Sequence, residues 1–592
     1  MRRSGSWVLL IGGALAAACS SAFDQSSSSA PRGSDDGANA AGSTSFGGIP
    51  GSAGSAVVPP EQEEDQSFRA PVVSGRWVWT ANPDTGKIAV VDAKSFTVRL
   101  ADAGAGPTFL TALPSTANTS QALVINVGSH DATLLQANAS GPVKASPPIP
   151  LQPDANAWTV GKTGKFAIAW TDSHSLQADP TDTFQDISVL DLRGASAAST
   201  RLVVGFVPSR VFIDDAEQQA YVVAKTGISV IDLSSAAGPR VLREEAVSED
   251  PLHEDVSSRD VSVMPDGSYA FVRHEGSPVI TLLELASGTL SSVTLSGAVT
   301  DLDLVANAKS ALAVVRGGTA PVSPNDDAQA GASNDGVAGA SDSQGGAAGE
   351  IGSGGASGAS GASGSAGNPP VATVSSTLAV LPIPGIFSKP NVFDTKAIEE
   401  VFGLVTIAPQ GTAALLYTNA VPNSHLTILE TAHGKNYLSY RTVDVRGYVH
   451  DVFPSPDGAY AIATLTAKEA GGKPGFAAVP VDSVLPARVQ TTDAPVFAVA
   501  QSEGPLARAI VTVSDGTANF AAYVVRMPEL VIDPVKLPSR PLPGATGLVP
   551  DAGMAYIAQA HPQGRITFID LETGVPRTIT GFEISARVTD GH

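Results

Sequence analysis

The chain runs to 592 residues, 43% hydrophobic and 16% charged, and its 36 Lys+Arg against 57 Asp+Glu leave a formal net charge of −21. So acidic a chain repels phosphate backbones and anionic headgroups, which excludes nucleic acid as a partner and a membrane held by surface charge. Cys19 is the only cysteine, so no disulfide forms within the chain and packing alone must hold the fold.

At the N-terminus, Arg2 and Arg3 precede the apolar run Trp7-Val8-Leu9-Leu10-Ile11 and then small residues up to Cys19, the pattern of an export signal. The run is too short for a permanent span, which takes about 20 apolar residues. Ala16-Ala17-Ala18-Cys19 resembles the bacterial lipobox, whose usual form is Leu-Ala-Gly/Ala-Cys; Ala16 stands where Leu is commonest, with Leu15 one place upstream. The resemblance implies a signal peptide at 1–18, cleavage before Cys19, a diacylglyceryl group on its sulfur and acylation of the new N-terminus. Several acyl chains, at about 0.8 kcal/mol per buried methylene, anchor stably where one does not. The alternative is an ordinary secretory signal cut at a nearby Ala-x-Ala site. Ser20, where an Asp would signal inner-membrane retention in some bacteria, points to the outer membrane.

From 19 to 70 the sequence is rich in Ser, Gly and Ala and carries the acidic run Glu61-Gln62-Glu63-Glu64-Asp65. It has too little apolar surface to offset its ordering entropy and is expected to be a disordered tether. About 45 such residues have an r.m.s. reach of roughly 35–40 Å, enough to lift a domain clear of a membrane. A second stretch of this kind, 317–370, separates Ala311-Leu312-Ala313-Val314-Val315 from Thr377-Leu378-Ala379-Val380-Leu381. These two read as neighbouring strands of one sheet with a disordered loop inserted, because closure entropy grows only logarithmically with length; an interdomain linker is the alternative.

The remaining sequence repeats itself. Val261 to Val272 through Pro265-Asp266-Gly267, Val452 to Ala463 through Pro456-Asp457-Gly458, and Gly547 to Ala558 through Pro550-Asp551-Ala552-Gly553 each read strand, turn, strand. Two continue into a third strand, Val279 to Leu285 and Arg565 to Leu571, and weaker copies include Tyr221 to Leu233 and Ile407 to Asn419. Pro presets a turn's first corner, Asp bonds its own backbone and Gly accepts positive φ. Short apolar, β-branched runs between such turns are antiparallel strands; only Thr395 to Val401 reads as a turn or two of helix.

Inner strands are expected near Phe109, Ala157, Val211, Val261, Leu302, Leu404, Val449, Val496, Gly547 and Ile584, about 40–52 residues apart, the size of a four-stranded propeller blade. About ten units are counted, and a ring of seven or eight would follow if weak units are loops. The first unit, at Trp77-Val78-Trp79-Thr80, lacks an inner strand, while Phe582 to Val588 is an inner strand with nothing after it. Paired, they would close the ring and hide its edges. The repeats resemble the YVTN and WD40-like propeller repeats of bacterial exported proteins over 71–592. That implies an all-β propeller and leaves its activity open.

A search for chemistry returns no assigned catalytic, cofactor or metal residue. Gly161-Lys162-Thr163 matches the tail of a phosphate-binding loop, but Asn156 stands where the leading Gly belongs and Phe166 to Trp170 is a strand, so the segment reads as a turn. Nine histidines are scattered, the densest group being His253-Glu254-Asp255 with His274-Glu275, which reads as solvated loop. The loop Asp172 to Asp186, with Asp179 and Asp182, carries calcium-type ligands without EF-hand order. Asp84-Thr85-Gly86 and Glu572-Thr573-Gly574 resemble the turn of quinoprotein dehydrogenase blades, but Val90 and Thr578 replace the tryptophan that docks there.

The expected function is a membrane-anchored, non-enzymatic binding or scaffolding lipoprotein whose propeller face or channel recognises a protein, peptide or glycan. The alternative is a hydrolase or lactonase-like enzyme of the cell envelope, as the resemblance to YVTN-type propellers implies, with His253, His274 and His450 the histidines that a site would need to gather.

Overall fold

The computed structural model describes residues 71–581 apart from 117–118, 173–183, 195, 251–253, 255, 306–308, 317–375, 433–436, 469–471, 503–506, 517–518, 538–542 and 560–563. The described residues form ten antiparallel sheets in chain order, four consecutive strands to each. In the second, two short strands, Lys144–Ala145 and Ile149–Pro150, share the place beside Asp131–Asn138.

The first strands of the ten sheets are Val72–Ser74, Pro107–Thr116, Ala157–Val160, Arg210–Ile213, Arg259–Val263, Val299–Leu304, Leu404–Ile407, Tyr448–Pro454, Val496–Gln501 and Pro543–Val549. Most of these strands lie beside the first strand of the next sheet, the remaining neighbouring sheets join through shared apolar clusters, and the last sheet meets the first. The sheets are therefore the blades of a ten-bladed β-propeller, with these strands innermost. Nine of the ten expected inner strands fall in this set. The tenth, at Ile584, lies outside the described residues.

Blade 1 does not lack an inner strand: Val72–Ser74 pairs with Trp77–Trp79 around Gly75, whose φ of +60° is the left-handed conformation that the tight turn needs. Three residues are too few to show a period of two in sequence, which is why this strand escapes a pattern search. A second correction concerns Thr395 to Val401. It is not helical, because Asp394–Ile398 pairs with Ser376–Pro382 as the outer strand of blade 6. An outer strand buries little, here only Ile398, so its polar run hides its period; the short helix falls nearby at Gly385–Ser388. Ser310–Val315 pairs directly with Ser376–Pro382, so the chain between them is an insertion within one blade.

Both faces of the middle strands are buried, since each blade is sandwiched between two others. Phe166–Trp170 is buried throughout; Phe166, Ile168 and Trp170 face blade 4, while Ala167 and Ala169 face blade 2. Every seam between blades carries its own apolar cluster, including the seam of blades 10 and 1, where Val549, Tyr556, Ile566 and Phe568 pack on Val78, Ala89 and Val91.

A repeated polar device ties these seams. The Tyr221 hydroxyl of blade 4 donates to the Gly267 carbonyl of blade 5 at 3.0 Å. Tyr417 of blade 7 donates to Asp451 of blade 8 at 3.0 Å, and Tyr556 of blade 10 to the Pro71 carbonyl at 3.1 Å, just before blade 1. Burial pushes the Tyr221 hydroxyl up to about 12 and also raises those of Tyr417 and Tyr556, so all three stay protonated donors. The last seam is built like the internal ones, and the described ring closes by packing blade on blade.

Candidate functional site

Antiparallel order puts the start of every inner strand, the end of the second, the start of the third and the end of the fourth on one end of the ring, the entry face. Turns between first and second strands lie on the opposite face. These include Pro265-Asp266-Gly267, where Gly267 has φ +68°, and Gly161-Lys162-Thr163. The latter does bind an anion through its backbone, but the protein supplies it. The Glu217 carboxylate of blade 4 accepts the N–H groups of Thr163, Lys165 (3.0 Å) and Phe166 (3.3 Å).

The seam of blades 2 and 3 differs from the others because its apolar packing is split into two small clusters. One is centred on Leu113, Leu123 and Ile149, the other on Ile125, Ala155 and Ala169. Beside the second, on the entry face, lies a cavity of about 350 Å³. Phe109, Ile125, Leu151 and Ala155 give it an apolar lining, and Asn126, Gln152, Asn156, His130 and Asp154 add polar groups. Size and lining are those of a small-ligand pocket.

Its walls are held rigidly. Gln152 donates to the Ala169 carbonyl at 2.9 Å and accepts from the Ser188 hydroxyl. Asn156 donates to the Asp172 carbonyl at 2.9 Å and accepts its N–H at 2.6 Å. Asn126 donates to Asp131 at 2.6 Å and Thr133 at 3.0 Å. His130 and Asp154 stand exposed at the rim with φ of 53° and 63°, a conformation that His and Asp tolerate better than most residues and that tends to mark functional positions. The pocket can therefore take an apolar group inside and bond polar ends at its rim.

Two expected residues, Glu254 and His274, meet elsewhere on the entry face, joined there by Arg259. The Glu254 side chain, 4% exposed, pairs with the Arg259 side chain, 3% exposed, at 3.2 Å, and with Nε2 of His274 at 3.2 Å. Nδ1 of His274 lies 3.5 Å from the Ser258 hydroxyl. Arg259 also donates to the Ala224 and Lys225 carbonyls of blade 4. The group expected to be solvated loop is thus partly a buried ion pair that bridges blades 4 and 5. His450 stands exposed in blade 8, apart from it. His253, Asp255 and most of the Asp172–Asp186 loop, Asp179 and Asp182 among it, lie outside the described residues, as does Cys19.

Several carboxylates of the inner strands are taken up by the seams. Asp260 pairs with Arg210 at 3.1 Å and Arg273 at 3.3 Å. β-Bulges precede Asp301 and Asp451; Asp301 then accepts the Val405 N–H of blade 7 at 2.8 Å. Burial, then the charges of Asp301 and Asp260, push the Asp303 carboxyl up to about 7 against the pull of Arg273. Among the described residues no group of three or more His, Cys, Asp or Glu is placed to hold a metal ion. The two dehydrogenase-like turns are ordinary Asx turns, with Asn82 accepting from Asp84 and Thr85, and Asp570 from Glu572 and Thr573.

The fold and site define a ten-bladed propeller with a ligand-sized pocket at one seam. The chain matches no protein-family model, and no curated protein matches it. Solved structures similar to it include a crystal structure of a eukaryotic initiation factor, at 11% identity and TM-score 0.45, covering 79% of this chain and 97% of that one. Another is the dihydro-heme d1 dehydrogenase NirN in complex with DHE, at 9% identity and TM-score 0.39, covering 88% and 75%. A third is Kuenenia stuttgartiensis hydrazine synthase, at 13% identity and TM-score 0.30, covering 72% and 96%. No residue or activity is carried across from them.

Proposed function

We propose that the protein is an exported binding lipoprotein, anchored through Cys19 in the outer membrane, whose entry face holds part of a protein, peptide or glycan in the pocket between blades 2 and 3. The observation that supports this reading is the pocket. It lies where the apolar packing of the seam is split in two, has an apolar lining of ligand-site size, and carries two left-handed polar residues at its rim. Rigid blades would display it, and an acylated tether would raise its local concentration at the membrane surface.

The anchor is tested by Cys19→Ser with cell fractionation. The variant should leave the membrane pellet for the soluble fraction while the unaltered protein stays pelleted. Equal membrane retention of both would overturn the anchor. Binding is tested in the same cells by crosslinking and mass spectrometry with Ala155→Phe, which fills the pocket: a reproducible neighbour of the unaltered protein should be lost from the variant. An unchanged neighbour set would remove the pocket from the reading.

A further inference from the structure

We infer that Ser258 is a nucleophile towards carboxylic esters, with His274 as its general base and Glu254, itself fixed by Arg259, as the positioning residue. This goes beyond the binding reading and does not depend on it. The argument begins with Glu254, which is almost wholly buried and whose carboxylate faces both Arg259 and Nε2 of His274. An acceptor-only carboxylate at 3.2 Å from Nε2 keeps a proton on that nitrogen. The neutral ring then presents Nδ1 as the acceptor, and Nδ1 is the atom that faces the Ser258 hydroxyl. Nucleophile, base and orienting acid stand in the order that acyl transfer uses, with the two ring nitrogens exchanged relative to the commoner arrangement.

Placement supports the chemistry. Ser258 closes a short 3-10 turn, Val256–Ser258, immediately before the inner strand of blade 5, and His274 ends the strand paired with it, Arg259 facing His274 across the ladder. The Glu275 N–H donates to the Ser258 carbonyl at 2.9 Å, which fixes the two segments against each other. His274 is 26% exposed, so the imidazole is open to solvent while its orienting acid is not. The Ser–His separation of 3.5 Å is long for a resting hydrogen bond, and such contacts commonly tighten only when substrate binds.

In the step itself, the Ser258 oxygen bonds to the ester carbonyl carbon and its proton passes to Nδ1 of His274. The carbon–oxygen bond to the alcohol breaks, and the alcohol leaves with that proton. Water, deprotonated by the same nitrogen, then attacks the acyl-serine; the carboxylic acid departs and Ser258 recovers its proton.

The test is covalent labelling of the full-length protein with a fluorophosphonate probe, read by peptide mass spectrometry. The serine oxygen bonds to phosphorus and fluoride leaves. Labelling should fall on Ser258, vanish in Ser258→Ala and slow by about 100-fold or more in His274→Gln. Ser258→Ala keeps the Arg259–Glu254 pair and should unfold at the same urea concentration as the unaltered protein. Glu254→Gln should slow labelling, and Glu254→Asp should restore part of the rate, which a packing role alone would not produce. No adduct at Ser258, or equal rates in His274→Gln, would overturn the inference; no rescue by Asp would remove Glu254 from it.

Discussion

Arg259→Met should lower stability by about 3–5 kcal/mol, the cost of leaving a buried charge without its partner. The side chain is 3% exposed and the Glu254 carboxylate 4%, so water cannot replace what the guanidinium supplies. Arg259 also donates to the Ala224 and Lys225 carbonyls of the preceding blade, and methionine, of similar length, fills the space without meeting any of these acceptors. Removing both charges, with Arg259→Met and Glu254→Leu together, should recover most of the loss, because the pair's desolvation cost disappears with it. By contrast Lys473→Met, at an ion pair with side chains 64% and 78% exposed, should leave the urea midpoint almost unchanged. Urea midpoints at unchanged slope read these differences. A loss under about 1 kcal/mol for Arg259→Met, or a double variant weaker than the single, would contradict the buried pair.

Phe568→Ala should cost about 3–5 kcal/mol, the range for emptying a fully buried aromatic site. Phe568 is 0% exposed and meets Phe96 edge-on, with ring centroids 5.6 Å apart, across the seam between the last blade and the first. Phe476, also 0% exposed, holds a comparable place at the seam of blades 8 and 9. If the ring closes by packing, Phe476→Ala and Phe568→Ala should lose similar amounts. A full loss at Phe476 with almost none at Phe568 would mean that the last seam is open.

The blades were legible because several repeat one signal: an apolar run, a Pro-Asp-Gly type turn and a second run. Val261 to Val272 shows all three, and its pairing follows directly. Val72–Ser74 was invisible because three residues carry no period, and Asp394–Ile398 misled because an outer strand buries one residue in five. The pocket left no mark in sequence. It arises from how blade 2 meets blade 3, and its lining residues Phe109, Ile125 and Leu151 read as ordinary core. His130 and Asp154 sit in turns, where His and Asp are common. For Ser258 the only hint was the cluster at Glu254 and His274; antiparallel pairing sets Arg259 opposite His274, a proximity that chain order alone does not specify.

The central claim is that the entry face is the working surface, and site-specific photo-crosslinking in cells tests it most directly. A benzophenone amino acid at Val127, 41% exposed at the pocket, is compared with one at Val484, 89% exposed on the opposite face between the third and fourth strands of blade 8. The account predicts a discrete adduct from Val127 that Ala155→Phe abolishes, and only background from Val484. An adduct from Val484 with none from Val127, or background from both, would contradict it.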